Sequence, residues 1–542
     1  MEFFDRIKRE RLARRGLSSG KKRRRQDQGG LAETIEGSLW VRVVLYALCG
    51  VVAGLLVTQS PGASFEGRIL PGFVVTTVIL LAAILIFHFN HPVSSHRTSK
   101  VFLTFGGLLG QLLLVRGVLA MEPPGMLLLM PVAFVPIIHS VLLGQRIGTL
   151  SAVFSAILGA MVVRPELAME YLGFALVAGY TGVLVTRKVR KRGQLLRAGF
   201  YVGLVGVVLA LLLGEIDPTS IWRDGGAGWK YVAMQMGLVF GTGVLTGMVV
   251  SGLLPLLEGV FLLTTEISWL EMSDLNHKLL RRMQIEAPGT FHHSLMVAQL
   301  AETAAEAVGA NSTMCRVCAY FHDIGKLRKP GYFVENQVEV NPHDDLTPTM
   351  SALVIIAHVK DGVDIAIKEK LAPEIIDVIQ EHHGDSLVYY FYRKAREQHD
   401  AREADDKGAG ADEELVEVDE KNFRYPGPRP QSKESGIISL ADAVESASRS
   451  LEKPNPTKIR ALVDEIVLSR IRDGQLDDCG LTMNDIRTIR EVFAKTLRSM
   501  MHTRIAYPSE KKGKKSREGD TEAKNVVRVE ELERRRKKAG GN

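Results

Sequence analysis

Disulfide chemistry is the first thing this sequence lacks. The 542 residues contain only four cysteines, Cys49, Cys315, Cys318 and Cys479. They give no disulfide framework, as expected for a reducing compartment. Cys315 and Cys318 form a lone CxxC; without a second pair it is weak as a zinc site, and i,i+3 placement on a helix fits ordinary packing. Charge is scarce through the apolar runs of the first half. Arg116 and Glu170 are exceptions near span ends, and snorkelling to the interface accounts for them. No chain of acidic residues suggests a proton relay, and no paired, Gly-broken segments suggest a transporter. Period-two alternation is also missing, so strands are not expected and the fold class is all-α. Finally, residues 1–38 are long, basic and polar, with no small-residue cleavage site after the first apolar run. That run is expected to stay in the chain as a membrane span.

What is present divides sharply. A spanning helix needs about 20 mostly apolar residues. Eight candidates lie near 41–58, 70–89, 101–120, 124–143, 147–163, 167–186, 198–214 and 231–254. Very short connections between 124 and 163 leave seven as an alternative count. The basic cluster RKVRKRG at 187–193, residues 1–38 and the loop HFNHPVSSHRTSK are expected on the cytoplasmic side; the opposite loops carry few Lys or Arg. Net charge is +7, with much of the excess in the tails and one loop. This distribution fits a lipid bilayer as partner and not a nucleic-acid polymer. The glycine-rich GTGVLTGMVVSG predicts close helix packing. The expected plan is a basic tail at 1–38, a transmembrane bundle at 39–256, a stiff helical connector at 257–284, a soluble domain at 285–505 and a charged disordered tail at 506–542. Residues 395–422 are charged and Gly-containing and read as a flexible insert.

The soluble half reads almost wholly as helices. Thr290 is expected to cap a helix that Gly309 ends, and the next runs through CRVCAYFHDIG. Thr347-Pro348 starts a third, Pro373 a fourth stopped by Gly384, and GIISLADAVESASRSL is a fifth. Of fourteen histidines, eight fall between 277 and 383. The helices present His293, His322-Asp323, His358, His382-His383 and Asp442. Any one of these alone is more often structural than a ligand. Several helices each presenting such groups are harder to explain as core packing, because a buried imidazole must find a partner and a metal satisfies several at once. Imidazole with carboxylate suits transition metals. At His322-Asp323 the imidazole can bind one ion while the carboxylate bridges two. Ions about 3.5–4 Å apart can share a hydroxide and clamp a phosphoryl group. Lys326 and Arg449 are candidate phosphate contacts, His343 is a candidate at the pocket mouth, and His292 is a weaker alternative to His293. Arg424-Tyr425-Pro426-Gly427-Pro428 reads as a fixed turn leading to the Asp442 helix.

The blocks FHHSLMVAQLAE, HDIGKLRKPGYFVENQ, NPHDDLTP, AHVKDG, QEHHGDSLVYYFY, FRYPGPRPQSKE and LADAVESASR stand in order in this chain. Together they resemble the HD domain of the seven-transmembrane receptor HD hydrolases, and the likeness runs over roughly 70–505. The resemblance implies a polytopic helix bundle followed by an all-helical HD domain. It implies a hydrolase that opens a cyclic dinucleotide, c-di-AMP, to linear pApA. It also implies two divalent ions, Fe or Mn. His293, His322, Asp323 and Asp442 would hold one; Asp323 would bridge to the other, held by His358, His382 and His383. The place implied is the bacterial cytoplasmic membrane, with the HD domain and both termini cytoplasmic; a homodimer is left open. One alternative is a c-di-GMP or other nucleotide phosphohydrolase. It is disfavoured because GYF stands at 331–333, where c-di-GMP members typically carry GYP. Another is a nucleotide-binding receptor without catalysis, although no metal ligand is visibly lost. The family's usual large extracellular domain is not expected, since only residues 59–69 separate the first two candidate spans.

Overall fold

The computed structural model describes residues 37–502 apart from 122–124, 188, 262, 338–340, 410–417 and 453. The tails expected at the two ends therefore lie almost wholly outside the described residues. Those described form helices and no strand; one isolated antiparallel bridge joins Leu387 and Arg424.

Among the described residues, eight helical spans are long and apolar enough to cross a membrane, and the protein is a multi-pass membrane protein. They are α1 (Leu39–Thr58), α2 (Ile69–Asn90), α3 (Thr98–Ala120), α4 (Phe134–Leu143), α5 (Gln145–Val162), α6 (Ala168–Val185), α7 (Gly193–Leu212) and α8 (Gly226–Phe261). The fourth span is composite, a 3-10 turn at Met126–Leu129 followed by α4. Pro131 stands at the break. The fully buried Gln111 side chain of α3 serves the polar backbone there, donating to Pro131 O at 3.2 Å and accepting from Val135 N at 3.4 Å. In an apolar bundle such groups must be satisfied internally. Outward faces are apolar, as Leu70, Val74, Val78, Leu81 and Leu85 on α2 show by their exposure. Facing lipid, these side chains need no protein partner.

The glycine-rich segment does pack closely. A Cβ on Gly199 of α7 would lie 2.6 Å from Gly243 O of α8, and one on Gly247 the same distance from Leu195 O. Gly199/Gly203 and Gly243/Gly247 are each four residues apart, so both helices present small residues on one face and their backbones meet.

The connector is not one stiff helix. α8 runs through Pro255 to Phe261, and two short helices follow, α9 (Glu266–Met272) and α10 (Lys278–Glu286). Asp274 and Asn276 divide them: Asn276 N donates to Asp274 Oδ1 at 2.9 Å, a side-chain turn that competes with helix. Glu258, near the end of α8, accepts from Thr265 N at 3.1 Å and Ser268 Oγ at 2.9 Å, tying α8 to the first turn of α9.

The soluble domain comprises α11 (Pro288–Ala307), α12 (Ser312–Phe321), α13 (Pro348–Lys368), α14 (Pro373–Glu381), α15 (Tyr389–Ala409), α16 (Lys433–Ser448), α17 (Pro456–Arg472) and α18 (Met483–His502). One core unites all of these but α15, with Val297, Phe321, Ile379, Ile437, Val463 and Phe493 fully buried, while Phe391 of α15 packs in a smaller cluster with Ala352 and Phe423. Two helix starts match their sequence signals: Thr347 caps α13 by accepting from Met350 N at 3.3 Å, and Pro373 opens α14. Thr290 does not cap α11. It is the third residue of the helix, and its N–H donates instead to Asn336 Oδ1 at 3.2 Å. The insert expected at 395–422 is helical as far as 409, where α15 ends. Residues 420–423 form a 3-10 turn that returns the chain to the α14–α15 junction, with Val388 N donating to Phe423 O at 2.8 Å.

Candidate metal centre

Three helix ends and two helix middles deliver the polar groups. His293 sits in the second turn of α11, and Asp442 is midway along α16. His322 terminates α12, and Asp323 opens a 3-10 turn at Ile324–Arg328. His382 terminates α14, with His383 next, while His358 lies within α13. Glycine makes the assembly close. A Cβ on Gly325 would meet His358 O and would lie 2.5 Å from Gly362 N, so only glycine lets the Asp323 turn rest on α13.

Three imidazoles share one local device. His322 Nδ1 faces Ala319 O at 2.7 Å, His358 Nδ1 faces Ile355 O at 2.5 Å, and His382 Nδ1 faces Ile379 O at 2.9 Å. Each partner is the carbonyl three residues earlier. A carbonyl only accepts, so each Nδ1 carries a proton, and in the neutral ring Nε2 is left with a lone pair. His293 is oriented differently, through Glu445 Oε2, 2.5 Å from its Nδ1.

The free nitrogens converge on Asp323. Its Oδ2 lies 3.4 Å from His293 Nε2 and 3.3 Å from His322 Nε2; its Oδ1 lies 3.4 Å from His358 Nε2 and 3.7 Å from His382 Nε2. Asp442 Oδ1 is 3.0 Å from His293 Nε2, and its Oδ2 is 3.7 Å from His383 Nδ1. Two groups result, His293-His322-Asp323-Asp442 and Asp323-His358-His382-His383. In each group one ligand atom per residue falls within 4.8 Å of all the others. His293 Nε2, His322 Nε2 and Asp323 Oδ1 are buried without a hydrogen-bond partner. Such orphaned acceptors are costly unless a cation satisfies them. Lone pairs and carboxylate oxygens aimed at one another repel, and a divalent metal ion fits this donor set.

Electrostatics divides the centre in two. Burial opposes ionisation of Asp323, yet Lys326 and His322 hold its carboxyl well below the usual range. Asp442 is likewise held low against burial, by His293 and His322. Burial lowers His293 and His322, but the carboxylates of Asp323 and Asp442 outweigh it, with Glu445 adding to the effect at His293. His293 ends well above its ordinary value and His322 at about 9. In the other half burial wins: His358 is lowered, His382 falls to about 3 and His383 falls well below its ordinary value. Those three rings are neutral, with lone pairs available.

The remaining candidates are distributed unevenly. Lys326 Nζ sits between Asp323 Oδ2 at 2.7 Å and Glu335 Oε1 at 2.9 Å, above the Phe333 ring. Arg449 does not meet Asp442 or the histidines; it holds Glu445, 3.0 Å away, and so stands behind His293. His343 belongs to neither group; its Nε2 meets Tyr332 O at 2.9 Å and its ring packs on Phe391. His292 is exposed and turned away from the centre. Cys315 and Cys318 are buried free thiols in the α12 core, raised by burial and far from acting as thiolates. Sequence reasoning missed Glu445 and Glu335. Glu445 had a signal, since Asp442, Glu445 and Arg449 share one face of α16. Glu335 had none, because it lies in an irregular segment.

Two family models match the chain in succession: the 7TM receptor with intracellular HD hydrolase over residues 68–265, and the HD domain over residues 290–447. Residues 68–447 thus match, in order, the two parts of a seven-transmembrane receptor with an intracellular HD hydrolase domain. The first match covers α2 to α8, so the family's seven spans are these and α1 precedes them. Among similar proteins are the cyclic-di-AMP phosphodiesterases PgpH of Bacillus subtilis (strain 168) and Listeria monocytogenes serotype 1/2a (strain 10403S). The first is 39% identical over 386 residues, 70% of this chain and 51% of the relative. The second is 38% identical over 385 residues, 71% of this chain and 50% of the relative. The chain thus spans about half the length of these relatives. A crystal structure of the L. monocytogenes PgpH HD domain is 43% identical, with a TM-score of 0.38, and covers 42% of this chain and 100% of that one.

Proposed function

We propose that this protein is a membrane-anchored, metal-dependent phosphodiesterase that hydrolyses cyclic-di-AMP to pApA. The observation that carries the reaction class is the convergence of unpartnered, buried Nε2 atoms and carboxylate oxygens on Asp323. The choice of c-di-AMP rests on the names of the PgpH relatives. His293, His322, Asp323 and Asp442 would hold one ion, and Asp323, His358, His382 and His383 a second; iron or manganese suits this imidazole and carboxylate set. When bound, such ions supply Lewis-acid charge for a phosphoryl group and make water nucleophilic near neutral pH.

The chain's own residues prepare that chemistry. The Nδ1 bonds of His322, His358 and His382 fix each ring in the tautomer that leaves Nε2 free. Lys326 keeps Asp323 ionised and, with one N–H of its ammonium uncommitted, can meet a phosphoryl oxygen. Burial of the centre excludes bulk water, which strengthens every charge interaction within it.

The basic 187–193 loop and an even number of spans support a cytoplasmic position for the HD domain and both termini. Proteolysis of intact against opened spheroplasts checks this; cleavage of the HD domain in intact spheroplasts would contradict it. For the activity, the full chain in detergent is loaded anaerobically with Fe or Mn and assayed on c-di-AMP, c-di-GMP and pApA. Turnover of c-di-AMP to pApA is expected. No turnover of any of the three with metal demonstrably bound would overturn the enzyme reading, and preference for c-di-GMP would overturn the base assignment.

A further inference from the structure

Tyr425 is a buried aromatic residue that the metal-ligand set does not use. Its side chain stacks on the imidazole of His383, with ring centroids 4.3 Å apart and planes inclined by 26°, and stands edge-on to His358 at 6.1 Å. The segment carrying it is bound to the turn that carries His383. Tyr425 N donates to Ser386 O at 3.0 Å, and Gly427 N donates to Gly384 O at 3.1 Å. Arg424 Nη1 donates to Asp385 O at 2.9 Å, and its Nη2 pairs with Asp473 at 3.2 Å. So tight a mounting places one ring over one ligand, which the turn itself would not require. A Tyr hydroxyl ordinarily finds a hydrogen-bond partner when buried. Tyr425 is only 8% exposed. Its hydroxyl makes no hydrogen bond to any described residue and is not among the polar atoms sealed from solvent, so it stands open to a ligand, with the charges of Lys326, Asp323 and Asp442 acting on it.

We infer that Tyr425 is a substrate-contacting residue: its ring fixes the plane of His383, and its hydroxyl donates a hydrogen bond to a non-bridging phosphoryl oxygen of the bound phosphodiester. The two roles separate by chemistry. Stacking needs only the ring, whereas donation needs the O–H. A donor aimed at an anionic oxygen is among the stronger neutral hydrogen-bond donors, so its loss is expected to weaken phosphate binding by about 10- to 100-fold.

The inference rests on the phosphodiesterase reading, and the test is arranged so that the two can fail separately. Full-length wild type, Y425F and Y425A are purified and metal-loaded, and metal content per chain is measured. Binding of inorganic phosphate is then titrated calorimetrically, and kcat/KM for c-di-AMP is determined. Y425F is expected to keep wild-type metal content and unfolding temperature while losing about 10-fold or more in phosphate affinity and in kcat/KM. Y425A is expected to lose metal as well, because His383 loses its stacking partner. Equal phosphate affinity in Y425F and wild type would overturn the hydroxyl contact; full metal content in Y425A would overturn the positioning of His383. Wild type that binds metal and phosphate but hydrolyses no cyclic dinucleotide would remove the phosphodiesterase reading and leave the Tyr425 contact standing on its phosphate titration.

Discussion

In Asp323 one carboxylate faces two ways: Oδ1 toward His358 and His382, Oδ2 toward His293, His322 and Lys326. Asp323→Ala removes the residue common to both groups. It should therefore abolish metal binding at both and all turnover, measured by metal content per chain and product formation. Retained metal at half the wild-type ratio would mean that the carboxylate does not bridge. Glu445 acts one step further out, gripping His293 Nδ1 while Arg449 grips Glu445. Losing such an outer partner typically costs about 10- to 100-fold in metal affinity. Glu445→Gln should show a loss of that order in a competitive chelator titration, and an unchanged affinity would contradict its orienting role. Much of this was legible in the sequence. All seven ligand candidates carry chemistry that declares itself, and each sits beside a distinctive block. The choice of His293 over His292 could also be made there. Arg449 was legible only as a cation, because a sequence does not say that Glu445 stands between it and the centre. Residue type reveals capacity, whereas the partner is set by the direction in which a side chain points.

Helices and turns determine whether those groups meet. Gly325 rests on His358 O and Gly362 N with no room for a side chain. Gly325→Ala forces the Asp323 turn off α13, an overpacking cost of about 1–3 kcal/mol. Chemical unfolding should register that loss, together with weaker metal binding at the His358 group. The same logic governs α7 and α8, where Gly243 faces the backbone of Gly199 and Gly203. Gly243→Ala should separate the pair and lower the unfolding temperature of the membrane block in detergent; an unchanged temperature would show that the close approach carries no stability. Helix boundaries followed their signals where a capping side chain was local, as at Thr347, and departed from them where a distant residue took over. Asn336 serves the α11 start in place of Thr290, and α15 extends through a charged stretch that composition alone marks as loose. Local propensity decides a boundary only until a tertiary hydrogen bond competes with it.

Across the whole molecule, the centre couples binding to stability. Two sets of candidate ligands drawn from α11, α12, α13, α14 and α16 meet only in the folded chain, so on the proposed reading metal is a folding ligand. At a hundredfold excess over Kd one such ion adds about 2.7 kcal/mol. Chelation should lower the unfolding temperature of the HD domain by on the order of 5–10 °C. Calorimetry of loaded and stripped protein measures this, and an unmoved transition would mean that the cluster is satisfied without metal. By contrast, Arg192 and Glu271 join the bundle to α9 through an exposed ion pair. Such pairs are worth roughly 0–1 kcal/mol, so that contact sets orientation more than stability.

By itself the sequence determined the division into an apolar bundle and a helical soluble domain, the place of the candidate spans, and the His and Asp residues that are candidates for a metal. Hydrophobic run length and the chemistry of His and Asp are properties of residues, visible without a fold. Only the tertiary structure decided three things. The connector is broken into α9 and α10. Lys326 is held by Glu335, and Glu445 meets His293 from across the domain. Tyr425 lies over His383 with its hydroxyl bonded to no described residue. The physical reason is common to all three. Each depends on groups far apart in the chain or on irregular backbone, where no period or propensity marks the sequence and only packing brings the partners within bonding distance.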